Sequence, residues 1–144
     1  MRKEDVCTID DIYALPDGER AELIDGKIYY MAPPSWTHQR ISGKLHQTIA
    51  NYIDSKNGKC QVLAAPFAVF LNEDDINYVE PDISVICDQS KLDEKGCHGA
   101  PDWIVDPEKQ MVMVYGFEKD IVEQYKFGED VPAAIYDGFT IKVE

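Results

Sequence analysis

The chemistry-bearing residue to consider first in this 144-residue chain is Asp82. It stands in Val79-Glu80-Pro81-Asp82-Ile83-Ser84-Val85-Ile86-Cys87, where a proline-aspartate pair opens a run of apolar and β-branched residues. That run reads as a strand entering a core. Pro81 lacks an amide donor and suits the first position of such a strand. A carboxylate at the strand's mouth is costly unless a cation or hydrogen bonds compensate it, which is the geometry of a metal site. A turn aspartate ahead of a buried strand has the same local sequence. Glu22 lies two residues from Ile24 and shares its pleat face, so it points inward beside an apolar neighbour, where a glutamate is either paired or functional. His38 falls three residues before Ile41, which places it at a helix start near the core edge. With no partner visible in sequence, it reads as a structural histidine.

Four cysteines, Cys7, Cys60, Cys87 and Cys97, show no CxxC spacing, so neither a zinc knuckle nor a redox motif is indicated and all four read as reduced thiols. Cys97-His98 reads as a loop, because two further ligands are not evident. The acidic stretch Asn72-Glu73-Asp74-Asp75-Ile76-Asn77 lacks the spacing and central glycine of an EF-hand and reads as a solvated turn.

The elements that must position these residues follow from periodicity and punctuation. Thr8 followed three positions later by Asp11 caps a short helix that Pro16-Asp17-Gly18 stops. Ala21-Glu22-Leu23-Ile24 and Lys27-Ile28-Tyr29-Tyr30-Met31 flank Asp25-Gly26, a dipeptide that tolerates the positive φ of a tight hairpin. After Pro33-Pro34-Ser35, a long helix runs to about Ile53, with Ile41, Leu45, Ile49, Tyr52 and Ile53 as its apolar stripe. Gln61 to Leu71 reads as one strand bulged or edged at Pro66. Trp103-Ile104-Val105 and Met111 to Tyr115 read as a hairpin around Asp106 to Gln110, Ile121 to Phe127 as a further strand, and Phe139 to Val143 as the last. The expected class is α+β: a largely antiparallel sheet with one long helix packed on it, in a single domain over residues 1–144.

Charge narrows the function classes. Fourteen basic against twenty-seven acidic residues give a net charge of −13, which argues against broad attraction to polyanions. A polyanion partner therefore needs a local basic patch, and Arg40, Lys44, Lys56 and Lys59 against Asp54 supply one, although a solvated helix face has the same composition. No apolar run approaches a membrane span and Met1-Arg2-Lys3-Glu4-Asp5 lacks a signal-peptide core, so a cytoplasmic location is expected.

Several motifs then occur in one order: Arg20-Ala21-Glu22-Leu23-Ile24-Asp25-Gly26-Lys27, Met31-Ala32-Pro33-Pro34-Ser35-Trp36-Thr37-His38-Gln39-Arg40-Ile41-Ser42, Ala65-Pro66-Phe67, Glu80-Pro81-Asp82-Ile83-Ser84-Val85 and Gly99-Ala100-Pro101-Asp102. Together they resemble the Uma-type family of restriction-endonuclease-like proteins, within the PD-(D/E)XK nuclease superfamily. The resemblance implies a restriction-endonuclease-like core, hydrolysis of DNA phosphodiesters and a divalent cation, Mg²⁺ or Mn²⁺, held by carboxylates on adjacent strands. Asp82 matches the motif aspartate, and Glu22 and His38 match family positions lining the same pocket.

The chain also departs from the family. After Gly-Ala-Pro-Asp the family continues into a strand bearing the second catalytic carboxylate, then a helix, then a strand ending in Trp-Ile-Val-Asp-Pro. Here Gly99-Ala100-Pro101-Asp102 runs directly into Trp103-Ile104-Val105-Asp106-Pro107, so one core strand and helix are missing at a clean seam. Asp93-Glu94-Lys95 spells D-x-K in a polar loop and reads as a chance match. Asp106, counted from Asp102, occupies the register of the family's glutamate, but the downstream match makes it a hairpin-turn residue. The candidate catalytic residues are thus Asp82, Glu22, His38 and Asp106, with Asp82, Glu22 and Asp106 as metal ligands. Two functions compete: a metal-dependent endonuclease, and an inactive relative that serves as a binding or assembly module. Sheet surface exposed by the deletion leads to the expectation of a homodimer.

Overall fold

The computed structural model describes residues 6–108, 111–116, 121–126, 129–132 and 139–142. The chain forms two compact units, each with its own core. The first takes residues 1–33, 68–80 and 91–100, and the second residues 34–67, 81–90 and 101–144.

In the first unit, helix α1 (Ile9–Tyr13) begins as the sequence indicates, with the Asp11 carboxylate accepting from the Thr8 N–H at 2.8 Å. Strands β1 (Arg20–Ile24) and β2 (Lys27–Met31) pair antiparallel around Asp25 and Gly26, whose φ angles of 50° and 79° are those of the anticipated turn. The strand phase differs from expectation. Ala21 and Leu23 are the buried residues of β1, while Glu22 shares the other face with exposed Ile24. Ile12, Ala21, Leu23, Ala68, Phe70 and Tyr78 form this unit's core.

The expected strand from Gln61 to Leu71 is two strands in different sheets. Strand β3 (Gln61–Ala64) belongs to the second unit, and β4 (Val69–Phe70) to a small sheet of the first, with a cis Ala65–Pro66 peptide in the segment between them. Proline has no N–H for a ladder, so the pairing stops there and the chain can change sheets. The polar stretch after Cys87 is likewise not all loop: β6 (Leu92–Asp93) and β7 (Gly96–His98) complete the β4-β7-β6 sheet. Nor is Asn72 to Asn77 simply solvated, since buried Asn77 donates to Asp74 and accepts from the Asp25 N–H.

In the second unit, α2 (Trp36–Ser55) starts where the Ser35 hydroxyl accepts from the His38 N–H at 3.1 Å. It ends before Asn57, whose positive φ lets Gly58 N–H return to the Ile53 carbonyl. Its buried stripe, Ile41, Leu45, Ile49 and Ile53, packs with Ile83, Val85, Trp103 and Val105 of the sheet. That sheet has the order β10-β9-β8-β5-β3, built from β5 (Ile83–Ile86), β8 (Trp103–Glu108), β9 (Met111–Gly116) and β10 (Ile121–Lys126) beside β3. Every pairing in it is antiparallel. A short ladder of β11 (Asp130–Pro132) and β12 (Thr140–Lys142) adds Val131 and Ile141 to the core, and β11 had no signal in the sequence.

Two expectations are corrected in this unit. Asp106 is not a turn residue, because β8 continues through Glu108 with Asp106 opposite Met113; residues 109–110 lie outside the described residues. Cys60 and Cys87 are not reduced thiols but a disulfide, while Cys7 and Cys97 are not disulfide-bonded. The β3–β5 register, Gln61 opposite Ile86, brings the next residues outward, Cys60 and Cys87, face to face. β8 hydrogen-bonds β5 directly, with Ile83 opposite Val105 and Val85 opposite Trp103.

Candidate active site

The second unit gathers three of the four candidate residues at the open end of β5. Asp82 is fixed by its own backbone on both sides, since its carbonyl accepts from the Ala65 N–H at 2.9 Å and its N–H donates to Asp106 Oδ1 at 2.8 Å. The first bond extends the β3–β5 ladder by one position, and the second is supplied by a side chain of β8, so a residue before a central strand is held on both sides. Asp106 comes from β8, so two acids on adjacent strands meet at the same sheet end. The third residue arrives from α2, whose Ser35 cap sets the phase that places His38 Nε2 3.1 Å from Asp82 Oδ2.

The pair is three-quarters shielded, with the His38 and Asp82 side chains 27% and 22% exposed. With Nε2 donating to the carboxylate, Nδ1 is the ring's second polar atom, and it is buried with no hydrogen-bond partner among the described residues. Ser42 Oγ, one turn further along α2, is also buried without one. A cavity of about 210 Å³ is lined by Gln39, Ser42, Gly43, His46, Ala64, Ala65 and Asp82. Gln39, Ser42, Gly43 and His46 recur at helical spacing on the face beside the apolar stripe, a signal present in the sequence but not separable there from an ordinary polar face. His46 is anchored within the fold, with Nε2 3.2 Å from the Val62 carbonyl.

Glu22 is not gathered with these three. It belongs to the first unit, where its carboxylate accepts from the Glu80 N–H at 2.8 Å. Glu80, nearly buried, accepts from Arg20 Nε at 3.0 Å and from the Tyr78 hydroxyl at 3.2 Å. Burial first, and then the neighbouring Glu80, push the Tyr78 phenol well above its ordinary value of 10.0. The D-x-K of the polar stretch is a turn device, because Asp93 Oδ1 accepts from the Lys95 and Gly96 N–H groups. The Lys95 amide, with His98 beside it, holds that carboxyl below its ordinary value. Asp102 is also structural, accepting from the Cys87 N–H at 2.6 Å. The four cations expected to form one patch separate: Arg40 and Lys44 line a cavity on α2, Lys56 lies over the Tyr52 ring, and Lys59 lines a different cavity beside the disulfide.

Among the described residues no three His, Cys, Asp or Glu side chains are placed together to hold a metal ion. What the site does present is a pair of acids on neighbouring strands, a histidine on one of them, and an adjoining cavity. A helix packed on an antiparallel sheet with this arrangement at a strand mouth defines a restriction-endonuclease-like fold. The sequence profile of the Uma2 family, described as "Putative restriction endonuclease", matches residues 9–106, and the chain belongs to that family. A crystal structure titled as a "putative nuclease belonging to DUF820", from Anabaena variabilis ATCC 29413, shares the fold with a TM-score of 0.60. It is 22% identical, and the alignment covers 88% of each chain. No curated protein matches. No helix is long and apolar enough to cross a membrane, among the described residues.

Proposed function

We propose that the chain is a divalent-metal-dependent nuclease that hydrolyses DNA phosphodiester bonds at Asp82. The observation that carries this reading is the meeting of Asp82 and Asp106 on adjacent strands beside a cavity, 2.8 Å apart from backbone N–H to carboxylate. The donor set fits Mg²⁺ or Mn²⁺ with substrate present, because Mg²⁺ is commonly held by one or two carboxylates and completes its shell with water and substrate phosphates. Asp82 and Asp106 are the residues that would hold it, and when bound the cation polarises the phosphate and lowers the pKa of an attacking water. His38 orients the Asp82 carboxylate through Nε2 and keeps Nδ1 available on its far side. Asp106, in this reading, takes over the position of the acid that the family carries on the missing strand.

A second reading has its own support. Asp82 Oδ2 is already engaged by His38, and no three-ligand group is present among the described residues, which suits an inactive relative acting as a binding or assembly module. Exposed Tyr29 and Tyr30, on opposite faces of β2, offer that module apolar contacts for a second copy, and light scattering that returns only monomer would sink the self-association.

Calorimetric titration with Mn²⁺ and cleavage of plasmid DNA across a range of metals separate the two. The nuclease reading expects saturable Mn²⁺ binding and cleavage, both lost in Asp82→Ala. Absence of both from the wild-type protein leaves the binding module.

A further inference from the structure

The outer face of α2 carries a line of residues that the proposed chemistry does not use. Trp36, Arg40 and Lys44 follow one another at intervals of four, so they lie one above the next along the helix. Trp36 opens the helix 78% exposed, an unusual placement for the largest apolar side chain. The Arg40 guanidinium lies over its ring, 5.9 Å from the centroid. Arg40 and Lys44 then line a cavity of about 630 Å³ together with Lys142, Gln39, Gln47 and Thr48. No acidic side chain lines it among the described residues, although acids outnumber bases nearly two to one in the chain. Lys142 has an ion pair with Asp130 at 3.7 Å, but both groups are open to water and the pair is weak.

Gly43 sits between Arg40 and Lys44 on this surface. A Cβ there would meet nothing within 4 Å, so packing gives no reason for a residue that disfavours a helix interior. Its bare backbone is the ridge shared by this cavity and the smaller one reaching Asp82, and Gln39 lines both as well. Across the helix, this ridge joins the cation-lined cavity to the candidate active site, within one unit.

We infer that this face is a track for single-stranded DNA, in which Trp36 stacks an unpaired base and Arg40 and Lys44 hold neighbouring phosphates. Exposed aromatics interleaved with cations are the general means of binding single strands, since every base has a face to stack and the phosphates take the charge. A duplex keeps its bases stacked on one another and offers Trp36 none. Two cations one helical turn apart, about 6 Å along the axis, match the step between phosphates of an extended strand. The Arg40 guanidinium covers one face of the indole and leaves the other for a base. The inference rests on reading the chain as a protein that acts on DNA, and not on its cutting it.

Trp36 and Trp103 are the chain's two tryptophans, and Trp103 is fully buried, so indole quenching by DNA reports Trp36 alone. The experiment titrates oligothymidylate, and separately a duplex, into the Asp82→Ala protein in EDTA at low salt. Single strands are expected to quench the fluorescence and to bind roughly tenfold tighter than duplex. Trp36→Leu should remove the quench and weaken binding, followed by anisotropy, by roughly tenfold. Arg40→Glu with Lys44→Glu should weaken binding further and lower the slope of log affinity against log salt by about 1.4, the contribution of two phosphates. No quench by single strands in the unmodified track, equal quench by duplex, or unchanged affinity after the charge reversals overturns the inference. Quenching that rises with protein concentration alone also overturns it, because a second copy then covers the face. Binding without cleavage by the wild-type protein sinks the nuclease reading and leaves the track; cleavage without quench does the reverse.

Discussion

The two units use the same residue types in opposite ways. In the first, each well-placed acid is committed to the fold: Glu80 holds Arg20 and Tyr78, Glu22 holds the Glu80 amide, and Asp93 closes the β6–β7 turn. In the second, Asp82 and Asp106 stand at a sheet end beside a cavity, and the histidine between them and α2 retains a buried, unpartnered nitrogen. A buried polar atom without a partner costs stability, so a fold keeps one where something else is gained. Neither burial nor an unpartnered atom alone divides the units, since both contain half-buried carboxylates and Arg20 Nη2 of the first is also buried without a partner among the described residues; the cavity beside Asp82 is what differs.

Substitutions can break that division. Glu80→Ala should be the most damaging, at about 2–3 kcal/mol in urea unfolding, because it strands a part-buried guanidinium and a phenol together. Glu22→Ala should cost about 1–2 kcal/mol by leaving the Glu80 amide unpaired, while Mn²⁺ titration stays unchanged. Loss of Mn²⁺ binding there would instead make Glu22 a ligand and erase the contrast. Tyr78→Phe should cost about 1 kcal/mol at neutral pH. Its sharper signature is alkaline. The folded phenol ionises above its ordinary value of 10.0, so the stability it contributes is complete below that pH and is lost as pH rises beyond it. The phenylalanine variant should therefore lose stability less steeply above pH 10.

Gly43→Ala should raise stability by about 0.5–1 kcal/mol, seen as a higher melting temperature, because an open helical position gains an alanine without a clash. Asp82→Ala should have the smallest structural effect, about 0.5 kcal/mol, since its pairing with His38 is partly solvated. It should nevertheless abolish metal binding. A large destabilisation by Asp82→Ala would place that residue among the scaffold acids and collapse the comparison.

β8 pairs directly with β5, so the sheet is continuous where the sequence runs from Asp102 into Trp103. Trp103, Ile104 and Val105 are all buried, the continuous apolar run of a covered strand, with Trp103 and Val105 in the core that α2 packs on, and β8 pairs with β5 on the side away from β3. That pairing carries Asp106 to the Asp82 amide. An acid expected in a turn is thereby a strand residue beside Asp82.

By itself the sequence determined the local elements: the Thr8 and Ser35 caps, the Asp25-Gly26 hairpin, the α2 stripe, the strand opened by Pro81-Asp82, and the family. Each is written in residues close together in the chain, where capping, turn chemistry and periodicity act. Only the tertiary structure decided which residues meet. The partner of His38 lies 44 positions away, that of Glu22 lies 58 away, and that of Cys60 lies 27 away. Strand register fixes such meetings, and a one-residue shift turns every side chain to the opposite face. The phase of β1, which turns Leu23 inward and leaves Glu22 to the Glu80 amide, and the pairing of β8 with β5, which brings Asp106 to Asp82, were settled by packing within each unit's own sheet and core.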